Sequence, residues 1–186
     1  MADQETHDPS EIDISKFEPG NHIFTYAGPI MLFTHHGIYA GDGKVIHFVP
    51  RKKEKSKDSV TSDVVFSESD PGEGCDDFQG GTHGIRTPGY VVKSDISSFG
   101  DKVLLYKYGV SETEVRKRPG TCCPYECKPL KEVLKTAEEK LKTGFGIYND
   151  YTNNSEHFAT FCSTGKKYSG EALYGHCAPE SPGASS

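Results

Sequence analysis

The composition limits the classes of protein to which this chain can belong. Its 186 residues are enough for one globular domain with its own core, and the 20 Gly and 11 Pro favour strands and long turns over a helical bundle. The formal net charge of −6 provides no basic face for a phosphate backbone, which argues against nucleic-acid binding.

The first part of the chain predicts an antiparallel sheet. Residues 1–20 form a polar N-terminal segment, in which the alternation at 12–17 predicts a short edge strand. Residues 22–33 and 37–39 are rich in β-branched and aromatic side chains, and residues 44–49 follow across the Gly-Asp-Gly turn at 41–43. We predict two antiparallel strands joined by this turn.

The middle and the end of the chain contain two segments that favour irregular structure. Residues 51–81 are charged and rich in Ser and Gly, and they predict a flexible insertion within a domain that spans residues 21–177. Further strands are predicted at 90–92 and 102–108. The tail at 178–186 is predicted to be disordered.

Three segments in the second half predict helices. Residues 111–118 begin with an N-cap Ser that is followed three residues later by Glu. Residues 128–143 place apolar side chains at helical spacing, with Pro129 in the first turn. Residues 155–164 follow an Asn-Asn turn and end at Gly165.

The six cysteines and the lack of an apolar run indicate the cellular compartment. No segment has the pattern of a signal peptide or the length needed to cross a bilayer, so we expect a cytoplasmic protein that contacts membranes at most peripherally. The cysteines are therefore expected to be thiols. The alternative is a zinc site built from Cys122, Cys123, Cys127, His176 and Cys177, although these residues lack paired C-x-x-C spacing.

The start of the third predicted helix is the best candidate for chemistry. A thiol at such a position loses its proton readily, whereas the hydroxyl of Ser155 needs a general base within hydrogen-bond reach. The candidate bases are His35, His36 and His47. Because side chains alternate across a strand, His35 and His36 cannot both face one site, and His47 on the partner strand can share a face with one of them.

Two blocks of sequence resemble a known family. The stretches THHGIYAGDGKVIHFVP at 34–50 and NSEHFATFC at 154–162 resemble the signature blocks of the lecithin retinol acyltransferase-like family, which includes the H-Ras-like-suppressor phospholipase/acyltransferases. The resemblance covers roughly residues 21–166 and is greatest to the plant branch. It implies an α+β fold of the circularly permuted papain-like type, in which an antiparallel sheet packs with helices.

The resemblance also implies roles for individual residues. His35 matches the catalytic base, His47 the residue that orients it, and Ser155 the position of the nucleophilic cysteine, with Asn154 beside it as a substrate contact. No metal or cofactor is implied. The substrate would be an acyl lipid or another acyl ester, handled by acyl transfer or ester hydrolysis.

The serine at position 155 departs from the family pattern. A hydroxyl would form an ordinary ester instead of a thioester, and an imidazole suited to a thiolate is not thereby suited to deprotonate a hydroxyl. We therefore expect weak or absent turnover, either in a natural inactive member or in an engineered Cys-to-Ser variant. The alternative function is a non-catalytic module that docks a protein partner.

Three further residues near the motifs have structural interpretations. His36 is expected to be a structural or surface residue that faces away from the site. His157 lies two positions after Ser155 and is assigned to packing or to the surface. Glu156 is expected to be a first-turn acid that matches the helix dipole.

Overall fold

The described parts of the chain are residues 12–27, 33–51 and 86–175 of a computed structural model. The predicted tail and the predicted insertion, apart from residue 51, lie outside these ranges. The domain boundaries given above therefore remain predictions.

Within the described ranges, six antiparallel strands form one sheet, in the order β5-β1-β2-β3-β4-β6. The region from residue 22 to residue 49, where we predicted two strands, contains three. The first two pair antiparallel, with Ala27 opposite Phe33, so the segment that we predicted as one strand folds back on itself. The strands are β1 His22–Ala27, β2 Phe33–Gly41, β3 Lys44–Pro50, β4 Thr87–Asp95, β5 Val103–Leu105 and β6 Ile147–Tyr148.

The three predicted helices are confirmed, with small differences at their ends. The Ser111 hydroxyl accepts a hydrogen bond from the Glu114 N–H, as expected for an N-cap. Pro129 lies at the N-cap of its helix, one position before the first turn. The α-helices are α1 Ile96–Phe99, α2 Glu112–Lys117, α3 Leu130–Thr143, α4 Ser155–Thr164 and α5 Gly170–Tyr174.

The predicted edge strand at 12–17 is wrong, because a 3-10 helix at Ile14–Lys16 takes its place. The Asp13 side chain accepts hydrogen bonds from the N–H and the hydroxyl of Ser15, at 3.2 and 2.5 Å. Such local bonds compete with extended structure, and two alternating apolar residues do not outweigh them.

Apolar side chains cover both faces of the sheet. On one face, Ile38, Ile46 and Phe48 pack against Val133 of α3 and Phe158 of α4, and all five side chains are fully buried. On the other face, Ile23, Tyr39 and Val45 pack against Ile96 and Phe99 of α1. Burial on both faces explains why neighbouring positions in a strand can both be apolar, as at Ile23-Phe24 and Val45-Ile46.

The pairing between β2 and β3 covers only the parts of the two strands that lie next to their connecting turn. It runs from Gly41 opposite Lys44 to Gly37 opposite His47, although β2 begins at Phe33. The N–H of Tyr39 points to the β1 side, where it donates to Asn21 O, so by alternation the N–H of His36 points toward β3. The end of the pairing therefore leaves this N–H for another acceptor.

Candidate active site at the start of helix α4

Ser155 occupies the place where β2 and β3 stop pairing. The His36 N–H donates to Ser155 Oγ at 3.3 Å, and the serine is only 3% exposed. This hydrogen bond brings the hydroxyl against the main chain between His35 and His36. The serine that the motifs single out is thus held against the strand that carries the predicted base.

A reciprocal cap fixes the first turn of α4. Asn154 Oδ1 accepts from the His157 N–H at 3.0 Å, and His157 Nδ1 accepts from the Asn154 N–H at 3.2 Å. Asn154 Nδ2 also donates to the Asp150 carbonyl at 2.9 Å. Because His157 is buried, the surface alternative for it is wrong, whereas the substrate role of Asn154 stays a prediction.

His35 and His47 lie together on the sheet face that carries α1. His35 Nε2 and His47 Nδ1 are 2.7 Å apart, and His47 Nε2 is 2.8 Å from Ser94 Oγ. Both rings contact Phe99. Burial lowers the pKa of His35 to about 4 and, with the charge of His35, that of His47 to about 3, so both rings are neutral at pH 7.

His36 faces the opposite side of the sheet and belongs to a second histidine pair. Its Nδ1 is 2.9 Å from His22 Nε2, and His22 Nδ1 is 2.6 Å from the Tyr108 hydroxyl. His36 is fully buried, which agrees with the structural interpretation and excludes the surface alternative. Sequence reasoning missed His22, because only the register of β1 against β2 brings it beside His36.

Glu156 is buried and makes a network of hydrogen bonds that the sequence analysis did not predict. It is 1% exposed, and its carboxylate accepts hydrogen bonds from Tyr106 Oη at 2.7 Å, Ser169 Oγ at 2.6 Å, and the N–H groups of Gly170 and Glu171 at 3.1 Å each. Glu156 lies in the first turn of α4, as predicted, and its carboxylate also caps the start of α5. Burial, opposed by these hydrogen bonds, raises its pKa to about 7.

A pocket of about 290 Å³ adjoins Ser155. Its lining combines aromatic rings with two carboxylates, and neither His35 nor His47 lines it. The residues that matter here are Phe33, Thr34, Tyr148, Asp150, Ser155 and Glu171. The pocket therefore offers an apolar wall, hydrogen-bond acceptors and the serine hydroxyl within one cleft.

The fold and the two motif blocks agree with the results of comparison with known proteins. The family model described as Lecithin retinol acyltransferase matches residues 15–168. The chain belongs to this family. It is 33% identical over 165 residues to Protein LEAD-SENSITIVE 1 of Arabidopsis thaliana, which places it with the plant-type members. The alignment covers 83% of this chain and 60% of that relative, so the chain spans about 60% of the relative's length.

The structure does not test the zinc site considered above, because two of its five candidate ligands, His176 and Cys177, lie outside the described ranges. Cys122, Cys123, Cys127 and Cys162 are free thiols, and burial raises the pKa of Cys123 and Cys162 to about 12. Cys75 also lies outside the described ranges. None of the helices described has both the length and the apolar character that crossing a bilayer demands.

One group in the described ranges has the spacing of metal ligands. One ligand atom each from His36, Glu156 and Glu171 lies within 4.8 Å of the others. However, each oxygen of Glu156 already accepts two hydrogen bonds, which uses all of its lone pairs. We therefore interpret the group as part of a hydrogen-bonded network.

Proposed function

We propose that this member of the lecithin retinol acyltransferase family is an acyl-handling domain in which Ser155 occupies the nucleophile position. His35 is the base, and His47 orients it. The observation that carries the proposal is the hydrogen bond from the His36 N–H to Ser155 Oγ, because it brings the hydroxyl to the residue next to His35. The 2.7 Å contact between His35 and His47 supports the assignment of the pair.

The hydrogen bonds of the pair suit a base at His35 Nδ1. If Nδ1 is to accept a proton, His35 must carry its hydrogen on Nε2 and donate it to His47 Nδ1. His47 then carries its hydrogen on Nε2 and donates it to Ser94 Oγ, which is 2.8 Å away. Both contacts are compatible with this arrangement of neutral rings, in which the second histidine fixes the tautomer of the first.

The substrate is an acyl lipid or another acyl ester that enters the pocket beside Ser155. The N–H groups at the start of α4 stabilise the oxyanion that forms at the attacked carbonyl. A serine hydroxyl ionises much less readily than a thiol at this helix position, so the parent protein should turn over slowly or not at all. A Ser155→Cys variant should supply the missing reactivity.

The test is acylation of the variant. Ser155→Cys protein is incubated with a lipid ester, and intact mass followed by peptide mapping shows whether an acyl group is attached at position 155. The parent protein is the matched control for the other thiols, and Ser155→Cys combined with His35→Gln should lose the adduct. A folded Ser155→Cys protein that stays unmodified by both esters and thioesters contradicts the proposal.

A further inference from the structure

A continuous series of hydrogen bonds runs through the buried side of β2 to the pocket. Tyr108 Oη lies 2.6 Å from His22 Nδ1, His22 Nε2 lies 2.9 Å from His36 Nδ1, and His36 Nε2 lies 2.7 Å from Thr34 Oγ1. Thr34 Oγ1 donates to Glu171 Oε2 at 2.5 Å. We call the four residues Tyr108, His22, His36 and Thr34 the buried relay, which ends on Glu171.

The direction of every hydrogen bond in the relay follows from its last one. Thr34 gives its only hydrogen to Glu171, so His36 must donate to Thr34 from Nε2–H. Burial keeps the pKa of both histidines well below its ordinary value, so each neutral ring carries one hydrogen. His36 Nδ1 then accepts from His22 Nε2–H, and His22 Nδ1 accepts from the Tyr108 hydroxyl.

Because all four donors point toward Glu171, the relay favours a negative charge at its end. Hydrogen bonds in such a series polarise one another, and the strongest bonds are those made to ionised acceptors. The Thr34 N–H donates to the same oxygen at 3.1 Å, which holds the carboxylate from a second direction. Thr34 and Glu171 both line the Ser155 pocket.

A glycine leaves the space that this contact needs. A Cβ on Gly120 would lie 2.5 Å from Thr34 Oγ1 and 3.4 Å from Glu171 Oε2. The backbone there has a φ of +80°, a conformation that favours glycine. The chain therefore packs directly over the Thr34–Glu171 hydrogen bond without a side chain.

We infer that Glu171 is an acceptor-binding residue of the Ser155 pocket, and that the buried relay holds its carboxylate ionised and fixed in place. Its ligand is the O–H or N–H group of the molecule that receives the acyl group. The assignment of the acyl acceptor as the ligand of Glu171 rests on the proposed function. In the transfer, the acceptor oxygen or nitrogen bonds to the acyl carbon, the bond from that carbon to Ser155 Oγ breaks, and the acceptor proton ends on Oγ.

Imidazole ¹⁵N NMR of the parent protein at pH 7 tests the relay without any activity. We expect His22 and His36 both to be neutral, with hydrogen on Nε2. Thr34→Val removes the acceptor of His36 Nε2–H, so both rings should move their hydrogen to Nδ1, whereas Thr34→Ser should preserve the parent tautomers. Hydrogen on Nδ1 of His36 in the parent, or unchanged tautomers in a folded Thr34→Val protein, overturns the relay.

Kinetics of the Ser155→Cys protein test acceptor binding by Glu171, with glycerol as the probe. Adding Glu171→Gln should raise the KM for glycerol at least about 5-fold, because loss of a hydrogen bond to a charged group is expected to cost this much or more. The rate of acyl-adduct formation is measured beside it. Glu138→Gln, on an exposed turn of α3, is the matched control. An unchanged KM with normal adduct formation refutes acceptor binding by Glu171. Absence of any adduct on the Ser155→Cys protein refutes the proposed function and, with it, acceptor binding by Glu171. The NMR result still decides whether the buried relay exists.

Discussion

Substitution of Glu156 by Gln tests the most unexpected feature of the site, a buried carboxyl that caps a neighbouring helix. Gln has the same shape, and its oxygen can replace Oε1 as the acceptor for Tyr106 and Gly170. Its amide nitrogen cannot accept from the Glu171 N–H, which Oε2 does at 3.1 Å. The Ser169 hydroxyl can turn to accept from the amide, so one buried donor loses its partner.

The expected loss of stability depends on pH. At pH 5 the carboxyl is protonated, and the variant should be less stable by about 1–3 kcal/mol, the cost of one unpaired buried donor. The folded pKa of about 7 lies above the ordinary value of 4.5, so the folded state binds more protons between these values. The contribution of Glu156 to the stability of the parent is therefore lost as pH rises through 7. Linkage puts this loss at roughly 2–3 kcal/mol between pH 5 and pH 8.

Urea unfolding of the parent and Glu156→Gln at pH 5, 6.5 and 8 measures these differences. The variant should be clearly less stable at pH 5 and close to the parent, or more stable, at pH 8. Glu138→Gln should follow the parent at every pH because its side chain is exposed. A stability difference between Glu156→Gln and the parent that stays constant across this range would refute the raised pKa.

Three other predictions concern stability. Both His35 and His47 have a folded pKa below the ordinary value of 6.5, so the unfolded state binds more protons as pH falls from 6.5 to 4. Urea unfolding at pH 5 should therefore show a free energy of unfolding that is lower by up to about 2 kcal/mol for each histidine. The His35→Gln variant should lack the part of this pH dependence that comes from His35. Asn154→Ala removes the cap of α4 and should cost about 1–2 kcal/mol in urea unfolding, more than Asn154→Asp, which keeps the accepting oxygen. Gly89→Ala drives a Cβ into the buried Phe48 ring and should lower the free energy of unfolding by about 1–3 kcal/mol; a thermal midpoint equal to the parent's would show that β4 moves freely there.

Local patterns were sufficient to predict the helices α2, α3 and α4, but not the short helices α1 and α5 or every strand. The helix at 155–164 was predicted with its observed bounds, because an Asn turn and a glycine stop act within one turn of the chain. Its C-cap Gly165 has the expected left-handed conformation, with a φ of +81°. By contrast, an alternating segment at 12–17 was mistaken for a strand, because strand formation needs a neighbour that local sequence does not specify.

The environment of Glu156 could not be predicted for a similar reason. Its partners, apart from Tyr106, belong to residues 169–171, and the sequence gives no sign that α5 begins against the first turn of α4. A glutamate in a first turn is ordinarily an exposed residue near the positive end of the dipole. Here the same residue type is buried because the unpaired N–H groups of a second helix start are its ligands.

The alternation of side chains along β2 determines which side of the sheet each of the two adjacent histidines faces. Alternation alone requires that His35 and His36 face opposite sides, and the structure places them in separate networks that lead to Ser94 and to Glu171. Ser155 contacts the main chain between them, at the point where β2 leaves β3. A shift of one residue in the register of β2 would exchange the sides of the sheet that the two imidazoles face. The end of the β2–β3 pairing fixes this register beside α4. It therefore determines which histidine can serve as the base.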